Sequence, residues 1–360
     1  MKKRTKIILT VTGTVLTVVL LLLLFLSQKL EQPNPVADYN RRIEIWGTEV
    51  AGNSTESKLQ HMNINQDEGL LLETIPFLEA IVGTEYVDQE ETIDTYTYLY
   101  EIQRGHEKTT YEDCPYLIPY LVQGATSAVI VIPGGGYGYK SIDGGRNHEG
   151  KSVAQTLNQA GINAFILWYR SNPYEYPIPQ LDVQRAVRYL RYHAQDYGLD
   201  PQKIGLIGYS AGGYQVGSYI NLIQGNNLFP EDYTPDEIDA VDDSVQAAAM
   251  IYPALTYRYN VPMLFASFDA ELVRDPESRE ALLEMTDLPA HIASQDVPQF
   301  ICYGTRDHLV APESVLGYVT AAQAAGCQVT LTVAQGQEHG FKQEHYMETY
   351  LDFLHSCFMQ

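Results

Sequence analysis

Hydrophobic and polar positions divide the 360-residue chain into three stretches of different character. The first is an uncharged run from Ile7 to Leu26 that ends in the solid apolar block Leu20 to Leu26. The second, from about 38 to 110, is weakly patterned. Within it Leu70 to Ile81 has helical spacing (Leu71, Leu72, Ile75, Leu78, Ile81), although Pro76 would start or kink such a helix. Asp88 to Glu91 is an acidic loop, and Thr95 to Ile102 alternates like an edge strand. The third stretch begins at Tyr116. There short, almost wholly apolar runs rich in Val and Ile alternate with amphipathic segments. Ala128–Ile132 has the length and composition of a buried parallel strand, and Asn163–Tyr169, Lys203–Gly208, Ala247–Tyr252, Gln299–Gly304 and Gln328–Val333 read as further strands. Helices are predicted over Asn147–Ala160, Asp182–Tyr197, Gly213–Leu222, 312–324 and 342–356. The second of these lines up Val183, Ala186, Val187, Leu190 and His193 on one stripe. Such alternation predicts an α/β domain with a doubly wound, mostly parallel sheet.

The first stretch predicts a transmembrane helix. Twenty residues at 1.5 Å each span about 30 Å, the thickness of a bilayer's hydrocarbon core. Lys2, Lys3, Arg4 and Lys6 precede it and Lys29 alone follows closely, which puts the N-terminus in the cytoplasm and the body outside. No small-x-small cleavage site stands at Phe25-Leu26-Ser27-Gln28, and no lipobox cysteine is present. A retained single-pass anchor at the cell membrane is therefore favoured over a secreted protein freed by signal cleavage. The expected organisation is a cytoplasmic tip and anchor over 1–28, a linker and N-terminal extension over 29–115, and a catalytic domain over 116–360. Residues 253–297, long for a plain connection, form either a small cap or a surface insertion packed on the sheet.

Composition narrows the partners. Asp and Glu number 45 against 23 Lys and Arg, a net charge of −22, and no basic run occurs outside the N-terminus. That excludes nucleic acid as an expected partner. The four cysteines contain no C-x-x-C pair and suggest neither a disulfide framework nor a zinc finger. Cys302, inside a strand-like run, reads as a free buried thiol. No H-E-x-x-H pattern occurs, so no metal and no cofactor are expected.

The candidate chemistry lies at the carboxyl ends of the predicted strands. Gly208-Tyr-Ser-Ala-Gly212 fits G-x-S-x-G, with a strand before it and a helix after it, the setting that exposes a serine hydroxyl on a sharp turn. Ser210 is thereby the candidate nucleophile. Gly134-Gly-Gly136 follows the strand ending at Ile132, where a loop can supply backbone N–H donors for an oxyanion. Gly135, Gly136 and Ala211 are the expected donors. A dinucleotide loop is disfavoured, because residues 134–139 read G-G-G-Y-G-Y and the next strand ends in Tyr169-Arg170 rather than an acid. Asp307 and His339 each sit in a loop just after a later strand, in the order serine, acid, histidine. Among nine histidines the rival to His339 is His308, which adjoins the acid; Glu313 and Asp296 compete with Asp307.

Taken together, Pro133-Gly-Gly-Gly-Tyr137, Trp168-Tyr-Arg170, Tyr176-Pro-Ile-Pro179, Gly208-Tyr-Ser-Ala-Gly-Gly213, Tyr303-Gly-Thr-Arg-Asp307 and His339-Gly-Phe341 resemble α/β-hydrolase serine esterases. The similarity covers roughly 116–357. It is closest to acetyl-esterase and carbohydrate-esterase-like members related to the hormone-sensitive-lipase group. Many relatives carry histidine where Pro133 stands, so Pro133 looks more like the sugar-deacetylating members. The resemblance implies the α/β-hydrolase fold and hydrolysis of short acyl esters, acetyl above all, on small molecules or glycans. Two other classes stay open at this point. One is a serine peptidase or amidase of the same fold, and the other is a non-catalytic surface binding protein.

Overall fold

The computed structural model describes residues 42–53, 114–137, 140, 149–171, 174–259 and 263–359, apart from the side chains of Phe265 and Ala270. The expected anchor, the helix over 70–81, the acidic loop at 88–91 and the edge strand over 95–102 lie outside the described residues. Among the described residues no helix is long and apolar enough to cross a membrane.

The body is built on one eight-stranded sheet. In chain order its strands are β1 (Ile43–Glu44), β2 (Tyr116–Tyr120), β3 (Ala128–Ile132), β4 (Asn163–Trp168), β5 (Ile204–Tyr209), β6 (Ala247–Ile251), β7 (Gln299–Gly304) and β8 (Val329–Ala334). They lie in the order β1-β2-β4-β3-β5-β6-β7-β8. The β1–β2 and β2–β4 pairs are antiparallel and every other pair is parallel. This is the mostly parallel sheet that the apolar runs predict. Pro119 in β2 lies beyond the two residues of β1, an edge position where a missing N–H breaks no ladder.

Nine helices are described: α1 (Lys151–Gln159), α2 (Ile178–Tyr192), α3 (Ala194–Tyr197), α4 (Ala211–Ser218), α5 (Met263–Ser267), α6 (Ala270–Arg274), α7 (Pro276–Thr286), α8 (Pro312–Ala324) and α9 (Met347–Phe358). Successive residues of a strand point to opposite faces, so the sheet separates two cores. Ala128, Ile130 and Ile132 face α2, α4 and α8, whereas Val129 and Val131 face α1 and α9. Burial on both faces is why β3, β4, β5 and β6 read as continuous apolar runs, whereas the edge strand β8 is only partly buried.

Several helix boundaries depart from expectation; the helix predicted over 342–356, for one, begins at Met347. The helix predicted from Asn147 starts at Lys151, because Glu149 turns its carboxylate back toward Gly134 instead of joining the helix. Ile178 and Pro179 of the proline-rich loop form the first turn of α2, the one place in a helix where proline fits without loss. The helix expected over 213–222 begins earlier, at Ala211, and gives way to a π-helical turn over Tyr219–Ile223.

Part of the expected extension belongs to the body. Asp182 accepts hydrogen bonds from Trp46 Nε1 (2.9 Å), from Arg170 N (2.8 Å) and from Arg170 Nη2 (2.7 Å), all buried. Arg170 Nη1 donates to the Ala51 carbonyl at 2.6 Å, and Arg185 Nε donates to the Ile45 carbonyl at 2.7 Å. The polar face of α2 is buried because residues 45–53 lie on it. Removing one partner of a buried ion pair leaves an uncompensated charge, at a cost of about 3–5 kcal/mol. Asp182→Ala is therefore expected to lower unfolding stability by roughly that amount in urea titration. A loss below about 1 kcal/mol would contradict this account of the staple.

Candidate active site

Five loops meet at the carboxyl ends of β3, β5, β6, β7 and β8, where a parallel sheet gathers its functional groups. The turn after β5 sets the geometry. Ser210 has φ 51° and ψ −117°, a conformation that side-chain-bearing residues adopt only under constraint. Its N–H donates to the Ile251 carbonyl of β6 at 3.0 Å, and its carbonyl accepts from Tyr214 N at 3.1 Å as α4 begins. The turn is also wedged from outside. A Cβ on Gly212 would come within 2.2 Å of the Ile132 carbonyl oxygen and 2.6 Å of that of Pro133. Only glycine lets α4 approach the end of β3 so closely.

The structure brings Ser210, His339 and Asp307 into one hydrogen-bonded chain. His339 Nε2 lies 2.9 Å from Ser210 Oγ, and His339 Nδ1 lies 2.7 Å from Asp307 Oδ2. A carboxylate accepts only, so Nδ1 carries the proton and Nε2 is left to accept from the serine hydroxyl. Asp307 is 3% exposed, and its other oxygen accepts from the N–H groups of Leu309 (2.9 Å) and Val310 (2.8 Å). Those bonds orient the acid before it meets the imidazole. The two loops are joined directly as well, Arg306 N donating to the Gln337 carbonyl at 3.0 Å.

Burial by itself would lower the pKa of His339. The Asp307 carboxylate, with a smaller contribution from Glu149, outweighs burial and holds it above the ordinary imidazole value of 6.5. The rivals lie elsewhere. His308 is 75% exposed and faces Glu338 at 3.6 Å, and Glu313 stands in the first turn of α8.

Gly135 (φ 122°) and Gly136 (φ 59°) follow β3 in conformations that favour glycine. Ala211 is the first residue of α4, so its N–H has no partner within the helix. Gly134 differs from its neighbours, because its N–H donates to Glu149 Oε2 at 2.8 Å. Pro133 accepts a 2.9 Å hydrogen bond from Tyr169 through its carbonyl. No cluster of three or more metal-ligating side chains occurs among the described residues.

Two residues of this neighbourhood escaped the sequence reading. Glu149 is 3% exposed and bridges Gly134 to the hydroxyl of Tyr252, which donates to Oε1 at 2.8 Å. Tyr252 follows β6 at φ 39°, and its ring lies edge-on to that of His339 at 4.9 Å. No short motif marks either residue. The sequence pattern places Glu149 inside the helix predicted over Asn147–Ala160.

Residues 253–297 hold α5, α6 and α7. Phe268, which follows α5, packs on Tyr176 with ring centroids 5.9 Å apart. A small cavity beside α4 is lined by Tyr137, Tyr214, Tyr257 and Thr286 together with that pair.

Comparison with known proteins agrees with this architecture. The model of the BD-FAE family matches residues 116–316, more than half of the chain. An acetylxylan esterase of Xylanibacter ruminicola is 25% identical over 219 residues, 59% of this chain and 41% of its own. A probable carboxylic ester hydrolase of Mycobacterium tuberculosis, LipM, is 25% identical over 202 residues, 54% of this chain and 44% of its own. The chain thus spans less than half the length of these two curated relatives. Among solved structures, an acetyl ester-xyloside bifunctional hydrolase from Caldicellulosiruptor lactoaceticus superposes with a TM-score of 0.56 at 26% identity. That match covers 70% of this chain and 89% of the other.

The crowding at Gly212 has a direct consequence. Gly212→Ala is expected to lose several kcal/mol of stability, because the atoms in the way are backbone and cannot step aside. Thermal unfolding of the variant checks this, and a wild-type midpoint would show that the turn has slack.

Proposed function

The chain belongs to the BD-FAE family of α/β-hydrolase esterases, and on that footing we propose that it is a serine carboxylic-ester hydrolase of short acyl esters, acetyl esters of carbohydrates above all. The observation that carries the reading is the unbroken chain from Ser210 Oγ through His339 to Asp307 on the strained turn after β5. An acetylxylan esterase and an acetyl ester-xyloside hydrolase among the similar proteins support the acetyl and sugar parts of it.

In this reading Ser210 Oγ attacks the acyl carbon while His339 Nε2 takes the hydroxyl proton. The carbonyl oxygen becomes an oxyanion, held by the N–H groups of Gly135, Gly136 and Ala211. His339 then protonates the leaving alcohol as the C–O bond breaks, and an acyl group remains on Ser210. Water enters, gives a proton to His339, and attacks the acyl carbon. Collapse releases the carboxylic acid and returns the proton to Ser210. Asp307 keeps the imidazole in the tautomer that each step needs.

A soluble body lacking residues 1–28 is expected to hydrolyse p-nitrophenyl acetate faster than longer-chain aryl esters, and to release acetate from acetylated xylan. Ser210→Ala should lower kcat by at least about 10⁴-fold. Equal rates in the two proteins would remove Ser210 from the chemistry. His339 must be neutral to act as base, so kcat/KM should rise with pH through an apparent pKa above 6.5. A limb below that value would contradict the role given to Asp307.

Residues 7–26 are proposed as a retained membrane anchor that holds the body outside the cell. Support comes from their length, their lack of charge and the cations that precede them. The full chain should sediment with membranes and resist alkaline carbonate, and deletion of 1–28 should release it. A mature protein that begins beyond residue 28 would instead show that the segment is a cleaved signal.

A further inference from the structure

Glu149 is a buried carboxylate beside the site that the ester-cleavage steps above do not use. One of its oxygens accepts from Gly134 N–H and the other from the Tyr252 hydroxyl, each at 2.8 Å. Gly134 opens the loop that carries Gly135 and Gly136. A Cβ placed on Gly134 would fall 2.7 Å from the Tyr209 carbonyl oxygen, 2.9 Å from Ser210 Cβ and 3.1 Å from Glu149 Oε2. Carboxylate, glycine loop and nucleophile therefore occupy one close-packed layer. Through its other oxygen Glu149 reaches Tyr252, whose ring borders the His339 imidazole at 4.9 Å.

We propose that Glu149 is a positioning residue for the ester-cleaving site. It fixes the glycine loop by its bond to Gly134, braces His339 through Tyr252, and adds a second negative charge that steadies the imidazolium. The proposal rests on the esterase reading given above.

The surroundings fit this assignment. A bond from a backbone N–H to a carboxylate is stronger than one to a neutral acceptor, and a loop that must offer its next N–H groups to an oxyanion gains from such an anchor. Burial, and then Glu149 itself, push the Tyr252 phenol well above its ordinary value, so it stays a donor throughout the working pH range. The groups facing His339 are Asp307 from the loop after β7, Glu149 from the segment before α1, and the neutral Tyr252 from the loop after β6. Its chain neighbour Glu338 is half exposed and is occupied by Arg306 and His308. Asp307 first and then Glu149 are the acids that raise the pKa of His339.

Glu149→Gln separates the charge from the scaffold. An amide oxygen can still accept from Gly134, and its NH2 can donate to the Tyr252 oxygen, so both bonds survive while the charge is lost. With p-nitrophenyl acetate, E149Q should lose about tenfold in kcat, the scale of one charge-assisted bond, with little change in KM. The acid limb of its kcat/KM profile should move to lower pH, because His339 loses a neighbour that favours its charged form. Glu149→Asp, which keeps the charge, should leave that limb in place. Glu149→Ala, which loses the anchor too, should fall by about 10² or more in kcat.

An E149Q variant with wild-type kcat and an unmoved limb overturns the proposal. So does one whose only defect is a lower Tm, since that is a purely structural role. Should the Glu149 variants fail to fold, Tyr252→Phe decides. A several-fold loss in kcat supports the brace, and an unchanged kcat overturns it. A wild-type protein inert toward every ester would instead sink the esterase reading itself.

Discussion

Ser210 sits in a backbone conformation that costs of order 1–3 kcal/mol and persists only where its surroundings over-determine it. Those surroundings come from three strands at once. The Ile251 carbonyl of β6 holds the Ser210 N–H, β5 runs straight into the turn, and the Ile132 and Pro133 carbonyls at the end of β3 press on Gly212. Central parallel strands, paired on both sides, are rigid enough to maintain that strain. The sheet can thus be read as a device for presenting one hydroxyl, with Asp307 and His339 delivered beyond the ends of β7 and β8.

Charge is arranged around the same point. Asp307 is buried, held by two backbone N–H groups, and turned toward His339 Nδ1. Glu149 lies against the glycine loop and Tyr252. Two buried carboxylates would repel an anion, but their oxygens are engaged by N–H and O–H donors and by the imidazole. The free helix terminus at Ala211 and the glycines at 135 and 136 present the opposite polarity. Negative groups behind the histidine and positive dipoles ahead of the serine make a field suited to moving a proton one way and charge the other.

Much of this was legible in the chain. Strands buried on both faces carry their own signature, so β3 and β7 coincide with their apolar runs and β4, β5 and β6 fall within a residue of theirs; β8 does so too, although it is a part-exposed edge strand. The chain points to Ser210, Asp307 and His339 because each follows such a strand in the order serine, acid, histidine, and the structure brings the three together. What escaped depends on tertiary contact alone. Glu149 reaches back fifteen residues to a backbone N–H, and Tyr252 gains meaning only from the ring it faces. The staple of Trp46, Arg170 and Asp182 joins residues 136 positions apart at its widest. No local period records that distance, so residues 42–53 read as part of a loose extension when they cover the polar face of α2.

In the proposed mechanism Ser210 is a nucleophile that forms a covalent bond to its substrate. Treating the native protein with a fluorophosphonate probe and mapping the adduct by peptide mass spectrometry tests it most directly. A single adduct is expected, on Ser210, its formation blocked by acid through protonation of His339. No adduct, or one on another residue while Ser210 stays unmodified, would contradict it.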